Sequence, residues 1–270
     1  MSLKPVAERG IVLLGCGKMG SALLAGWLQS GLAPDSVHVI DPAPSDWLTA
    51  QRVRINAPLP AAPAVVLLAV KPQMMGDALP AISGFSGGRT LFLSIAAGTR
   101  LARFEEVLGS DSPIIRAMPN TPAAVGRGIT ALIGNAQATE ADMALSEALM
   151  AAVGGTIRLE DEAQMDAVTA LSGSGPAYVF HLIEAMAQAG IAQGLSPDTA
   201  MQLARATVTG AGELAFQAKD SPEQLRVNVT SPGGTTAAAL AVLMDEATGL
   251  PPLMARAISA AAARSKELSQ

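Results

Sequence analysis

The stretch Gly10-Ile11-Val12-Leu13-Leu14-Gly15-Cys16-Gly17-Lys18-Met19-Gly20 decides the fold. Four consecutive apolar residues after Gly10 predict a strand buried on both faces, as in parallel sheets. The glycines at 15, 17 and 20 follow that strand and open a helical segment, Ser21 to Gln29, for which Gly31 is a natural stop. G-x-G-x-x-G is weak as a bare pattern, but strand before and helix after is the context a dinucleotide pyrophosphate requires. In that reading Gly15 makes the turn, Gly17 admits the pyrophosphate to the backbone, and Gly20 lets helix pack on strand. A tight turn into a helix, without a ligand, is the structural alternative.

Working outward, short β-branched runs alternate with helical segments through the first half. Val37 to Ile40, Ala64 to Val70, Thr90 to Ile95 and Ile114 to Met118 predict strands, and Ile129 to Ile133 and Thr156 to Leu159 weaker ones. Leu101 to Leu108 and Glu140 to Val153 predict helices, the second with Thr139 as N-cap. Strands separated by helices imply a mostly parallel, doubly wound sheet covered on both faces. Beyond Glu160 the strand signals stop. Glu162 to Leu171, Ala177 to Ala192, Asp198 to Gln217, Thr235 to Asp245 and Pro251 to Leu268 all predict helices. The expected organisation is an α/β dinucleotide-binding domain over 1–160 and an all-α domain over 161–270. Val179, Phe180, Leu182, Ile183 and Met186 suggest helices apolar on more than one face, to be buried against a second subunit or in a large monomeric core.

Composition removes several functional classes. Of 270 residues half are hydrophobic and only 3 % aromatic, with a net charge of −5. No basic stripe interleaved with aromatics is present, so nucleic acid is not an expected partner. Cys16 is the only cysteine, which excludes an internal disulfide and a thiolate metal cluster; it reads as a small buried residue rather than a reactive thiol. His38 and His181 are the only histidines, and both read as structural, so no metal site and no catalytic triad is expected. The longest apolar run, Ala57 to Val70, is broken by Pro58, Pro60 and Pro63 and is too short for a bilayer. With no signal-peptide core before Arg9, a soluble cytoplasmic protein is expected, without membrane association.

Four further stretches carry chemistry. Asp41 ends the second strand about twenty residues beyond Gly20, where an acid binds the adenine-side ribose hydroxyls. A cofactor 2′-phosphate would meet its carboxylate, so NADH is favoured over NADPH; a strand-end turn acid before Pro42 is the alternative. Ala69-Val70-Lys71-Pro72 and Ile95-Ala96-Ala97-Gly98 end two strands, the side of an open α/β sheet where ligands bind, and their small residues leave room for a flat nicotinamide ring. Arg116-Ala117-Met118-Pro119-Asn120-Thr121-Pro122 reads as a stiff wall of that site. Thr230-Ser231-Pro232-Gly233-Gly234-Thr235-Thr236 leads into an alanine-rich helix and forms a second anion socket. Ser231 or a threonine can cap it, Pro232 fixes φ, and Gly233 and Gly234 clear space for a ligand.

Ala170-Leu171-Ser172-Gly173-Ser174-Gly175-Pro176-Ala177-Tyr178 and Asn228 to Thr236, with Ala69 to Gln73 and Met118 to Pro122 in the same order, resemble the pyrroline-5-carboxylate reductases along essentially the whole chain. The resemblance implies a Rossmann domain followed by a helical domain that interlocks with a partner's in a homodimer, with dimers assembling into a decamer. It implies reduction of 1-pyrroline-5-carboxylate to L-proline by NADH or NADPH. Gly15, Cys16, Gly17, Lys18, Met19, Gly20, Asn56, Ala69, Val70, Lys71, Pro72 and Asn228 match cofactor-contacting positions, and Glu162, Thr235 and Thr236 substrate-side ones. The family commonly has a small polar residue where this chain has Asp41.

A protonated cyclic imine is already electrophilic, so positioning two rings and stabilising charge suffices without histidine. In this reading the N–H groups around Gly233, Gly234 and Thr235 hold the substrate carboxylate and the Thr236 hydroxyl bonds the ring nitrogen, unless that hydroxyl only caps the helix. Glu162 either orients the substrate or a proton-relay water, or caps the helix beginning at Asp161. One alternative is another two-domain reductase acting on a keto or hydroxy acid. Such enzymes usually rely on a lysine or histidine of the second domain, and no lysine occurs between Lys71 and Lys219. A non-catalytic dinucleotide sensor is the other alternative, and it predicts binding without turnover.

Overall fold

The computed structural model describes residues 3–269. Eight strands form one sheet: β1 Ile11–Leu14, β2 Val37–Ile40, β3 Arg54–Ile55, β4 Val65–Leu68, β5 Leu91–Ser94, β6 Ile114–Met118, β7 Gly128–Gly134 and β8 Gly154–Arg158, in spatial order β3-β2-β1-β4-β5-β6-β7-β8. Every neighbouring pair is parallel except β6 and β7, which run antiparallel with Arg116 opposite Ile133. The helices around it are α1 Lys4–Arg9, α2 Lys18–Gln29, α3 Asp46–Thr49, α4 Met75–Ala78, α5 Leu101–Leu108, α6 Glu140–Ala151 and α7 Met165–Val168.

The apolar run of β1 is divided between two cores by the two-residue period of a strand. Ile11 and Leu13 join Leu23, Trp27, Leu149 and Met150 on one face, whereas Val12 and Leu14 join Phe92, Phe104 and Ile82 on the other. Trp27 also donates its indole N–H to the Leu149 C=O at 2.9 Å, locking α2 to α6. At the edge, Arg158 ties β8 to α6 through Glu140 at 2.7 Å and Glu147 at 2.6 Å. The expected N-cap of α6 is present as a capping box between Thr139 and Asp142.

The remaining helices are α8 Gly175–Ala192, α9 Pro197–Gln217, α10 Pro222–Asn228, α11 Thr235–Leu243 and α12 Leu250–Leu268. Compact packing divides the chain into Met1–Gly173 with Ala262–Gln270, and Ser174–Ala261. The expected boundary at 160/161 marks the change from strands to helices, yet the first unit runs on to Gly173. The reason is apolar: Met165 and Ala170 are buried, Met165 among the side chains beneath the sheet. The helical unit has almost no core of its own. Only Ala187, Ala200 and Ala204 are buried in one cluster, while Phe180, Leu203, Leu214, Val242 and Leu253 are exposed. Among the described residues no helix is long and apolar enough to cross a membrane.

Candidate active site

The strand order reverses direction between β1 and β4, and ligands of open α/β sheets bind at the carboxyl ends of strands flanking such a point. The glycine turn lies there. Gly15 has φ +86°, and a Cβ on it would lie 2.8 Å from Val70 Cγ1 and 3.1 Å from the Ala69 C=O. The Ala69-Val70 strand end therefore abuts the turn, bringing two of the expected cofactor segments together. A Cβ on Gly20 would lie 2.9 Å from the Gly15 C=O, so its absence sets the approach of α2 to β1. Around Gly17, the N-cap of α2, the same test finds open space within 4 Å. The first intrahelical bond of α2 runs from Ser21 N–H to Gly17 C=O, leaving the N–H groups of Lys18, Met19 and Gly20 ahead of it without helical partners. Open space over free N–H donors at the positive end of a helix fits a pyrophosphate.

Asp41, immediately after β2, is bound into this turn. Its Oδ2 accepts the Cys16 N–H at 2.8 Å and its Oδ1 the Ala43 N–H at 2.9 Å. Asn56, at φ +48°, clamps the backbone of Asp41 in both directions: Oδ1 accepts the Asp41 N–H at 3.0 Å and Nδ2 donates to its C=O at 2.7 Å. Asn56 is thus brought to the glycine turn through Asp41. Arg54 lies on β3, with its guanidinium 3.9 Å from Asp35. Burial pushes the Cys16 thiol above its ordinary range and the nearby Asp41 carboxylate adds to that, while a hydrogen bond with Ser21 opposes it. A thiol held protonated is a packing residue, not a nucleophile.

Ala96 and Ala97 follow β5. The Ser94 hydroxyl accepts the Ala96 N–H at 3.2 Å, and Ala96 is buried. Glu162 belongs to this same unit rather than to the helical one. Its Oε1 accepts both the Leu101 N–H and Arg116 Nη1–H at 2.9 Å each. Leu101 is the first residue of α5, so Glu162 caps that helix and not the turn beginning at Asp161, where Asp161 itself accepts from Ala163. Arg116 is 4 % exposed and Glu162 27 %, which makes the pair the most buried side-chain ion pair among those described. Sequence reasoning took Arg116 only as site wall; an arginine inside the apolar strand Ile114-Ile115-Arg116-Ala117 was the available signal for a buried partner.

The second socket lies in the helical unit. Helix α11 has Gly234 as its N-cap with no side-chain cap, so neither Ser231 nor a threonine caps it. The glycine has taken the place of a hydroxyl: Gly233, at φ +67°, turns the chain so that Gly234 N–H bonds the Ser231 C=O at 3.1 Å. Gly234's donor is therefore spent within the turn. The first intrahelical bond comes from Ala238 N–H to Gly234 C=O, which leaves the N–H groups of Thr235 and Thr236 ahead of it. Asn228 ends α10 nearby in sequence, its Oδ1 accepting from Gln224 at 2.8 Å.

Residues 162–268 match the family model for pyrroline-5-carboxylate reductase dimerisation, and residues 10–98 match that for NADP oxidoreductase coenzyme F420-dependent. The pyrroline-5-carboxylate reductase of Pseudomonas aeruginosa is 40 % identical over 96 % of this chain and 97 % of its own. Among solved structures, the pyrroline-5-carboxylate reductase of Coxiella burnetii is similar at TM-score 0.91 and 36 % identity, covering 97 % of this chain and 99 % of its own. The Plasmodium falciparum pyrroline carboxylate reductase with NADP bound is similar at TM-score 0.82 and 28 % identity, covering 98 % and 99 %. With that identity to a curated relative over nearly the full length of both proteins, the chain belongs to the pyrroline-5-carboxylate reductase family.

Proposed function

We propose that this chain reduces 1-pyrroline-5-carboxylate to L-proline with NADH or NADPH. The observation that carries the reading is a pair of open helix N-termini, at Gly17–Gly20 and Gly234–Thr236, in a chain of this family. When bound, NAD(P)H would supply the hydride for the imine carbon from its nicotinamide, becoming NAD(P)+. The free N–H groups of Lys18, Met19 and Gly20 hold the pyrophosphate, and Ala69 to Pro72 with Ala96 and Ala97 wall the nicotinamide. Asn228 completes the cofactor contacts on the resemblance to the family. On the substrate side, the turn through Ser231, Gly233 and Gly234 presents the Thr235 and Thr236 N–H groups to the carboxylate. The Thr236 hydroxyl accepts a hydrogen bond from the protonated imine nitrogen and so favours the electrophilic iminium form before transfer; hydride addition to the neighbouring carbon leaves that nitrogen as a neutral amine. Glu162 contributes by fixing the start of α5, and with it the Ala96–Gly98 wall.

NADH is the preferred cofactor in this reading. Asp41 already fills the strand-end position with a carboxylate, tied to Cys16 and Ala43, and a 2′-phosphate would be held against it. Arg54 is directed to Asp35 and does not compensate. Steady-state kinetics with each cofactor test this: NADH gives the higher kcat/KM in the wild type, and Asp41→Ser shifts the ratio toward NADPH by at least about tenfold, one ion-pair-scale interaction. A wild type that favours NADPH refutes the role given to Asp41. The exposed apolar helices of the second unit support self-association as a dimer, and further assembly to a decamer is testable by sedimentation.

A further inference from the structure

The end of α12 belongs to the cofactor-binding unit, where residues 262–270 pack with Met1–Gly173. There Ser265, 8 % exposed, donates its hydroxyl to Asp166 Oδ1 at 2.6 Å. A serine hydroxyl has one proton, this bond takes it, and a carboxylate acceptor makes the bond one of the stronger kind. Asp166 stands on α7, which is anchored by Met165 in the core beneath the sheet. Four residues earlier, Glu162 accepts the Leu101 N–H at the start of α5. Two acids of one short helical stretch therefore hold two different elements, α5 and the end of α12. Between the points they hold runs the loop Ala97–Arg100, the continuation of the Ala96 wall. Among the described residues the backbone N–H groups of Ala97 to Arg100 donate to no partner, so the loop is held from outside. A Cβ on Gly98, at φ +77°, would lie 3.4 Å from the Leu268 C=O, and Arg100 Nη2 donates to Ser269 Oγ at 3.4 Å. Ser269 N–H bonds the Ser265 C=O at 3.1 Å, so residues 265, 268 and 269, at i, i+3 and i+4, share one side of the last turn.

We propose that Ser265 is a positioning residue for the nicotinamide: bound to Asp166, it pins the last turn of α12 against the loop Ala97–Arg100 and so fixes the wall on which the ring rests. This rests on the function proposed above, in which Ala96 and Ala97 wall the nicotinamide. All of these contacts lie within the cofactor-binding unit. Small apolar residues seat a flat ring by packing alone, so the ring is placed only as well as the loop that carries them, and hydride transfer is sensitive to that placement. The glycine turn that holds the pyrophosphate is built from other elements, β1 and α2, and does not depend on α12.

The test uses the full-length enzyme with two probes, NADH and ADP-ribose, which keeps the pyrophosphate and lacks the nicotinamide. Ser265→Ala is expected to lower kcat/KM for NADH about tenfold, the scale of one hydrogen bond to a charged group. The inhibition constant of ADP-ribose against NADH stays within about twofold, because the glycine turn is untouched. That split separates positioning of the ring from general loss of structure, which would weaken both probes alike. Asp166→Ala reproduces the effect from the other partner, and Asp166→Asn, which keeps an acceptor oxygen, loses less than about threefold. The double variant Ser265→Ala with Asp166→Ala is no worse than either single one, since each removes the same bond. A kcat/KM for Ser265→Ala within about twofold of the wild type, ADP-ribose weakened in step with NADH, or additive losses in the double variant would overturn the proposal. A wild type that binds NADH without reducing the imine would overturn the assigned function instead; the dissociation constants of NADH and ADP-ribose, read by nicotinamide fluorescence and its displacement, then decide the role of Ser265 by the same split.

Discussion

Glu162→Ala isolates the most buried charge pair of the cofactor-binding unit. The substitution strands the Arg116 guanidinium, 4 % exposed, and frees the Leu101 N–H at the start of α5. Breaking a buried pair by removing one partner costs about 3–5 kcal/mol. Glu162 is itself 27 % exposed, so water reaches the vacated space and the figure falls to the lower end of that range. The lost helix cap adds about 1 kcal/mol. A net loss of about 4 kcal/mol corresponds to about 8–16 °C in Tm for a domain of this size. The assay is thermal unfolding at fixed protein concentration, since dimerisation makes Tm depend on concentration. The companion variants are Arg116→Met and the double substitution. With the pair intact as described, the double variant is no less stable than Glu162→Ala, because nothing charged is left buried. Additive losses, or a shift below about 2 °C for Glu162→Ala, would refute the reasoning.

Two other outcomes follow from named contacts. Gly15→Ala places a methyl 2.8 Å from Val70 Cγ1 at φ +86°, and is expected to cost about 1–3 kcal/mol and to weaken cofactor binding, readable by denaturant unfolding and by fluorescence titration. The Arg158 hydrogen bonds hold the Glu140 and Glu147 carboxyls below their ordinary range. A depressed folded pKa stabilises above the unfolded value of 4.5 and is lost as pH falls through the folded values. The Tm difference between wild type and Arg158→Met should therefore be flat at neutral pH and close as the pH drops below 4.5; a gap that widens in acid contradicts the assignment.

Much of this architecture is legible in the sequence. Ile11 to Leu14 and Ala64 to Val70 are apolar without alternation because both faces are covered, and periodicity detects that. The Rossmann sheet, the helical second half and the family resemblance all stand. What escaped was either too short or too far apart in sequence. Strand β3 is only Arg54–Ile55, below any periodic signal. Helix α10 is not among the helices expected from the sequence, being only Pro222–Asn228; Ser221 is its N-cap, accepting from Gln224 N–H at 3.1 Å. The antiparallel β6–β7 pair, the Glu162–Arg116 bond and the Asn120–Ser172 bond each join segments that no local pattern connects. At the substrate socket the residue types were legible and their use was not: Ser231 supplies a carbonyl to the turn, and glycine is the cap.

The claim on which the account depends is that the N–H groups at the start of α11 seat the substrate carboxylate. Proline at position 235 removes one of those donors while suiting the first position of a helix, and Gly234 already has the extended conformation that precedes a proline, at φ −81° and ψ 175°. The decisive measurement is kcat/KM of Thr235→Pro relative to Thr235→Ala, for 1-pyrroline-5-carboxylate and for 1-pyrroline, which lacks the carboxylate. Loss of one charge-assisted hydrogen bond predicts a fall of at least about tenfold for the acid and none for 1-pyrroline. Equal effects on both substrates would contradict it.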